Sequence, residues 1–181
     1  MLANCHTHLF SMKETNTNEI QLDTLDRTIL DILMKDARTP YLEIARMCNV
    51  SGATVHLRIQ KLEKMGIISG SRLIINYRDL GLGICAFLGI YLDKCDHFQE
   101  IFTYMKEIPE IVECHYTTGI YAIFLKVYCR DTQHLRDLLI EKIQVIPFVR
   151  RTETFISLEQ VFDREPNVDK MLEGKINVQG L

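Results

Sequence analysis

Ser51, Thr54, His56, Arg58 and Lys61 lie within eleven consecutive residues. They combine two hydroxyls, an imidazole and two cations, groups that hydrogen-bond and neutralise phosphates and reach base edges. Two other groupings invite a chemical reading. Cys5, His6 and His8 supply at most three metal ligands from a polar, aperiodic stretch, so a mobile tail is the simpler expectation. Glu113, Cys114 and His115 are adjacent, but neighbours on a strand point to opposite faces, so the thiol and imidazole cannot form a nucleophile and base pair. The chain has no CxxC pair, no phosphate-cradling glycine loop and no Ser/His/Asp arrangement. Neither an enzyme, a metal site nor a cofactor is expected.

The first cluster sits in a stretch of helical periodicity. Leu25, Ile29 and Leu33 repeat every four residues, with Leu22, Leu30 and Ile32 widening the stripe. Asp23 is placed to cap this helix, and Asp26 favours the same positive end. Thr39 and Pro40 then read as the cap and first position of a second helix carrying Leu42, Ile44, Ala45 and Cys48. Asn49 tolerates the left-handed backbone of a tight turn, and Ser51 caps a third helix running to about Met65, where Gly66 ends it. That helix buries Val55, Ile59 and Leu62, with Leu57 and Met65 at the margins. Thr54, His56, Arg58, Lys61 and Lys64 form its polar side. Ala45, Asn49 and Val55 take the small-residue, turn and core positions of a helix-turn-helix.

Composition supports a globular protein: 47% of residues are hydrophobic and 25% charged. The apolar run from Leu80 to Leu92 contains three glycines and is too short to span a membrane. Met1 to Ser11 lacks the pattern of a secretory signal, so a cytoplasmic location with six reduced cysteines is expected. Met12-Lys13 is a plausible translation start, which makes residues 1–11 an extension. Charge is unevenly distributed. Residues 20–78 carry nine Lys/Arg against six Asp/Glu, whereas residues 79–181 carry eleven against sixteen. The net charge of −3 therefore hides a positive segment where a polyanion can be met.

After a turn at Ser69–Ser71, a strand is predicted over Arg72–Tyr77. The second half then reads as strand 84–92, helix 96–108, strand 111–117, strand 121–128, helix 131–145 and strand 149–161. This order is the split βαβ pattern of a ferredoxin-like sandwich, with two helices on one face of a four-stranded sheet. The fold class is α+β: an N-terminal helix-turn-helix, winged-helix-like domain and a ferredoxin-like βαββαβ domain. The boundaries are a tail at 1–21, the helix-turn-helix domain at 22–70 with its motif about 41–60, a linking strand or hinge at 71–83, the ferredoxin-like domain at 84–162, and a tail at 163–181. Met171, Leu172 and Ile176 give the last tail some docking capacity. Leu88, Ile90, Ile123 and Leu125 are read as the uncovered sheet face, an apolar patch that a second copy would cover.

LDTLDRTILDILMKDART followed by LEIARMCNVSGATVHLRIQKLEKMGIISG resembles the N-terminal domain of Lrp/AsnC transcription regulators. The matching positions are Leu22, Asp23, Asp26, Arg27, Ile29 and Leu30, then Arg58, Ile59, Leu62, Glu63, Gly66 and Ile68. TTGIYAIFLKV and RTETFISLEQV are similar to stretches of that family's ligand-sensing domain, so the resemblance covers about residues 22–162. It implies a bacterial, nucleoid-associated regulator that binds double-stranded DNA upstream of amino-acid metabolism genes through Ser51, Thr54, His56, Arg58 and Lys61. It also implies a homodimer built by sheet-face pairing, often assembled into tetramers or octamers, with a small amino acid bound between dimers in some members.

The resemblance places an effector at Gly119, Tyr121, Ala122, Thr152 and Thr154. Ala122 departs from the family's usual aspartate, which removes a carboxylate partner for an ammonium group. Backbone N–H groups near Gly119 and Tyr121 and the threonine hydroxyls remain, so an altered or absent amino-acid response is expected. Each position also has an ordinary structural reading: a glycine demanded by a hairpin turn, a packed tyrosine, and threonines alternating along a strand. The competing function is an amino-acid sensor or assembly module without DNA binding. The retained hydroxyl and basic residues of the third helix argue against it.

Overall fold

A computed structural model describes residues 22–93 and 98–166 of the 181-residue chain. The Cys5/His6/His8 cluster, the start at Met12, the start of the 96–108 helix, and Met171, Leu172 and Ile176 lie outside the described residues. The chain divides into two compact units, with the boundary between Leu73 and Ile74.

In the first unit, α1 spans Thr24–Lys35, α2 Tyr41–Met47 and α3 Gly52–Lys64. The Asp23 carboxylate accepts from the Asp26 amide at 2.8 Å and starts α1 as expected. The start of α2 differs. Pro40 is itself the capping residue, and the Thr39 hydroxyl donates backward to the Asp36 carbonyl at 2.8 Å. The fixed φ of Pro40, −60°, suits this extended entry and leaves no task for a threonine cap. Asn49 has φ 53°, and the Val50 amide donates to the Ala45 carbonyl at 3.0 Å, closing α2 with a left-handed residue. The Ser51 hydroxyl then accepts from the Thr54 amide at 3.0 Å and opens α3. Gly66, at φ 71°, ends it. Ile29, Ile32, Ile44, Ala45, Val55 and Ile59 form the core the three helices share.

The second unit contains β1 (Ile84–Leu92), α4 (Phe98–Lys106), β2 (Ile111–Tyr116), β3 (Ile123–Cys129), α5 (Thr132–Asp137) and β4 (Val149–Ile156). The sheet order is β2-β3-β1-β4, antiparallel throughout, which is the ferredoxin-like arrangement. The last strand ends at Ile156, five residues before its expected limit; the Ser157 amide still donates to the Cys85 carbonyl of β1 at 2.9 Å, and no ladder pairing follows. The Asp131 carboxylate caps α5, accepting from the His134 amide at 2.8 Å. Beyond Asp137 the helix widens into a π-helical stretch, Leu138–Ile143, instead of continuing as regular α-helix. The wider turn brings Leu138 and Ile143 together on the buried side. Residues 72–77, expected as a strand, join no ladder within the described residues. A strand requires a hydrogen-bonding neighbour, and periodicity cannot reveal whether one exists.

The two sheet faces are the reverse of the sequence expectation. Leu88, Ile90, Ile123 and Leu125 are fully buried with Ile101, Met105, Leu135 and Leu138, beneath the helices. The other face bears Phe87, Tyr91, Phe124, Tyr128, Arg151, Glu153 and Phe155, as the pairings Phe87↔Phe155 and Tyr91↔Arg151 require. The fully aliphatic set fills the core, and the larger aromatics occupy the other face, which is uncovered among the described residues.

Candidate functional site

The candidate nucleic-acid interface is α3. Its polar side is held by a lattice of charges that the sequence did not disclose. Asp26 is the only fully buried charged residue among those described. Arg58 donates to it at 3.1 Å and Lys61 at 3.1 Å, and the same Arg58 nitrogen also pairs with Asp23. The Asp26 amide, and then the Arg58 guanidinium, hold the Asp23 carboxyl below its ordinary value. Its two carboxylate hydrogen bonds, the one to Asp23 foremost, raise the value of Arg58. Two cations thus meet two carboxylates within the unit, and the group brings almost no net charge to an approaching polyanion. Arg46 and Lys64 are exposed and make no ion pair among the described residues.

The other three predicted contacts lie at and just beyond the start of α3. Ser51 is exposed, and its hydroxyl lies 2.8 Å from that of Thr54. His56 is exposed, with its Nε2 3.0 Å from the Gln60 amide nitrogen and its ring 5.9 Å from that of Tyr41. Hydroxyls remain here as further donors and acceptors, and the Ser51 hydroxyl takes up the Thr54 amide, one of the N–H groups that a helix start leaves without an intrahelical partner. Sequence reading placed Leu57 at the margin of the buried stripe. It is instead 64% exposed, with exposed Ala53 one turn before it. A helical projection contains that signal, since Leu57 falls outside the arc of Val55, Ile59 and Leu62.

The five residues predicted to bind an effector do not converge within one chain. Tyr121 lies on the uncovered sheet face, where its hydroxyl donates to Glu153 Oε2 at 2.6 Å. Tyr91 and Arg151 bind Oε1 of the same carboxylate, at 3.1 and 2.6 Å. The Tyr121 bond, followed by that from Tyr91, holds Glu153 below its ordinary value, and the bond to Glu153 foremost pushes Tyr121 up to about 12. Thr152 and Thr154 stand opposite Ile90 and Leu88 on the helix-covered side, and Thr152 accepts from Gln144 at 3.2 Å. The Ala122 amide is bonded to the Ile90 carbonyl at 2.9 Å, and the Thr117 hydroxyl to the Tyr121 carbonyl. Gly119 lies in the β2–β3 connection without a positive φ, and a side chain there would meet nothing. The turn therefore does not demand glycine.

Glu153 was missed by the sequence reading. It supplies a carboxylate beside Tyr121, although Ala122 does not. Alternation along β4 is its only sequence signal, because Arg151, Glu153 and Phe155 fall on one face and Thr152 and Thr154 on the other.

Residues 22–63 match the AsnC-type helix-turn-helix domain, and residues 85–167 match the Lrp/AsnC ligand binding domain. The regulatory protein AsnC of Haemophilus influenzae is 42% identical over 144 residues, which cover 80% of this chain and 96% of that protein. The chain belongs to the Lrp/AsnC family. The solved structure of Escherichia coli AsnC superposes with a TM-score of 0.77 at 39% identity, covering 81% of this chain and 99% of that one. A feast or famine regulatory protein of M. tuberculosis, complexed with L-methionine, gives a TM-score of 0.74 at 26% identity and covers 79% and 96%. This Lrp/AsnC-type protein is a transcription regulator with a helix-turn-helix DNA-binding domain, followed by a four-stranded antiparallel sheet and its helices.

Proposed function

We propose that this regulator reads duplex DNA through the N-terminal half of α3, with Ser51, Thr54 and His56 as contacts and Arg46 and Lys64 as phosphate partners. Arg58 and Lys61 take a different role from direct contact: they fix the pitch of α3 against α1. The observation that carries this reading is the pairing of both cations with the buried Asp26, at 3.1 Å each. A helix anchored by such a lattice presents its outer face in one orientation, which specific recognition of base edges requires.

The working unit is a homodimer joined through the uncovered sheet face. Phe155 is 46% exposed on β4, and Phe87 and Phe124 stack beside Tyr91 and Tyr121 on the same sheet face. Targets are genes of amino-acid metabolism. A small amino acid, where it acts, binds between copies, since Tyr121 and the threonines of one chain face opposite ways. The response differs from that of relatives with an aspartate at position 122.

Binding of the purified protein to the duplex upstream of its own gene, against a scrambled duplex, tests the reading across a salt series. A sequence preference that weakens steeply with salt is expected. The series is then repeated with a panel of amino acids. Equal, salt-insensitive association with both duplexes, or none, would remove the DNA reading and favour an assembly module.

A further inference from the structure

The base-reading surface of α3 has an unusual chemical balance. At 3.6 residues per turn, the arc opposite Val55, Ile59 and Leu62 is occupied by Ala53, Leu57 and Lys64, with Gln60 and His56 on one flank. Ala53 is exposed, and Leu57 is 64% exposed. An exposed leucine alone is ordinary. Here a second observation gives it meaning. Arg58 is the sole arginine of α3, and both its carboxylate partners lie inside the unit. The guanidinium that ordinarily reads the O6 and N7 edge of guanine is therefore turned away from the groove. The groups left on the outer arc are two apolar side chains, one amide held by an imidazole at 3.0 Å, and a lysine.

We infer that α3 reads A·T pairs in the major groove, with Leu57 and Ala53 packed against thymine C5 methyl groups. This rests on the DNA reading above and names the base chemistry of the same surface. Apolar side chains discriminate thymine by its methyl, the one apolar feature of the major-groove edge. The amide of Gln60, one turn from His56, has the donor and acceptor pattern that pairs with adenine N7 and N6. Lys64 lies one turn nearer the C-terminus of α3 than Gln60 and supplies phosphate attraction without base preference.

The test uses the full chain and a duplex enriched from a randomised library by binding to it. Each thymine of the enriched duplex is replaced in turn by deoxyuridine, which deletes only the methyl group. Wild-type affinity is expected to fall about fourfold at one or two positions per half-site, the factor for burying one methyl. Leu57→Ala should bind the unsubstituted duplex more weakly and be indifferent to the replacement at those positions. Its thermal melting should match wild type, because the side chain lies outside the core; Leu57→Gln provides a second variant with the same expectation. Enrichment of a duplex that binds equally well with every thymine replaced would overturn the inference and leave DNA binding intact. So would a full penalty retained in both variants. Failure to enrich any duplex would overturn both readings.

Discussion

Replacing Arg58 with alanine separates a residue that holds the recognition helix from one that touches DNA. In the folded chain Asp26 is 0% exposed, the Arg58 side chain 32% and Asp23 50%. Removing one partner of a buried ion pair costs about 3–5 kcal/mol because the other charge is left without compensation. Two features lower that figure here. Lys61 still donates to Asp26 at 3.1 Å, and the partial exposure of Arg58 lets water screen its pairs. The half-exposed Asp23 adds little. A loss of roughly 2 kcal/mol remains, which for a small domain corresponds to a melting shift of roughly 10 °C in the N-terminal transition. Fluorescence anisotropy with a labelled duplex then gives the slope of log affinity against log salt, about −0.9 for each phosphate contact. Arg58→Ala is expected to lower affinity while leaving the slope unchanged, whereas Lys64→Ala should leave melting unchanged and flatten the slope by about one. In a double-mutant cycle with Asp26→Asn the stability losses should fall short of additive. If Arg58→Ala melts like wild type and flattens the slope by about one, the guanidinium lies on the DNA and the reasoning fails.

Three further outcomes follow from the second unit. A Cβ at Gly89 would lie 2.6 Å from Tyr121 Cε1 and 2.7 Å from Cγ, so Gly89→Ala should push the ring off the sheet and cost about 1–3 kcal/mol in chemical denaturation. Spectrophotometric titration should find Tyr121 ionising at about 12, above its ordinary 10.0, chiefly because its hydroxyl donates to Glu153. This raised value contributes stability that is complete below 10.0 and lost as pH rises through about 12; Glu153→Gln should return the phenol toward its ordinary range, and no change would rule out the bond. Phe155→Glu places a charge on the uncovered sheet face, and sedimentation should show dimer affinity reduced more than tenfold, an effect of at least ~1.4 kcal/mol. An unchanged dimer would place the interface elsewhere.

Local sequence was sufficient for several features whose cause is local. Asp23, Ser51 and Asp131 cap helices because each side chain reaches an amide three residues on, and Asn49 turns the chain because its type tolerates φ 53°. The order of helices and strands, and with it the ferredoxin-like topology, follows from two hydrophobic periods. Three features were decided by tertiary structure. Periodicity finds two faces of a sheet without saying which one the helices cover; packing resolved this in favour of Leu88, Ile90, Ile123 and Leu125. The union of Asp26 with Arg58 and Lys61 joins residues more than thirty positions apart, a relation no local window contains. It is the ground for proposing that Arg58 and Lys61 anchor α3. Glu153 came to Tyr121 in the same way, through the register of β1 against β3 and β4. A residue's type announces the chemistry it is able to do, and the partners the fold brings to it determine which chemistry is left for a ligand.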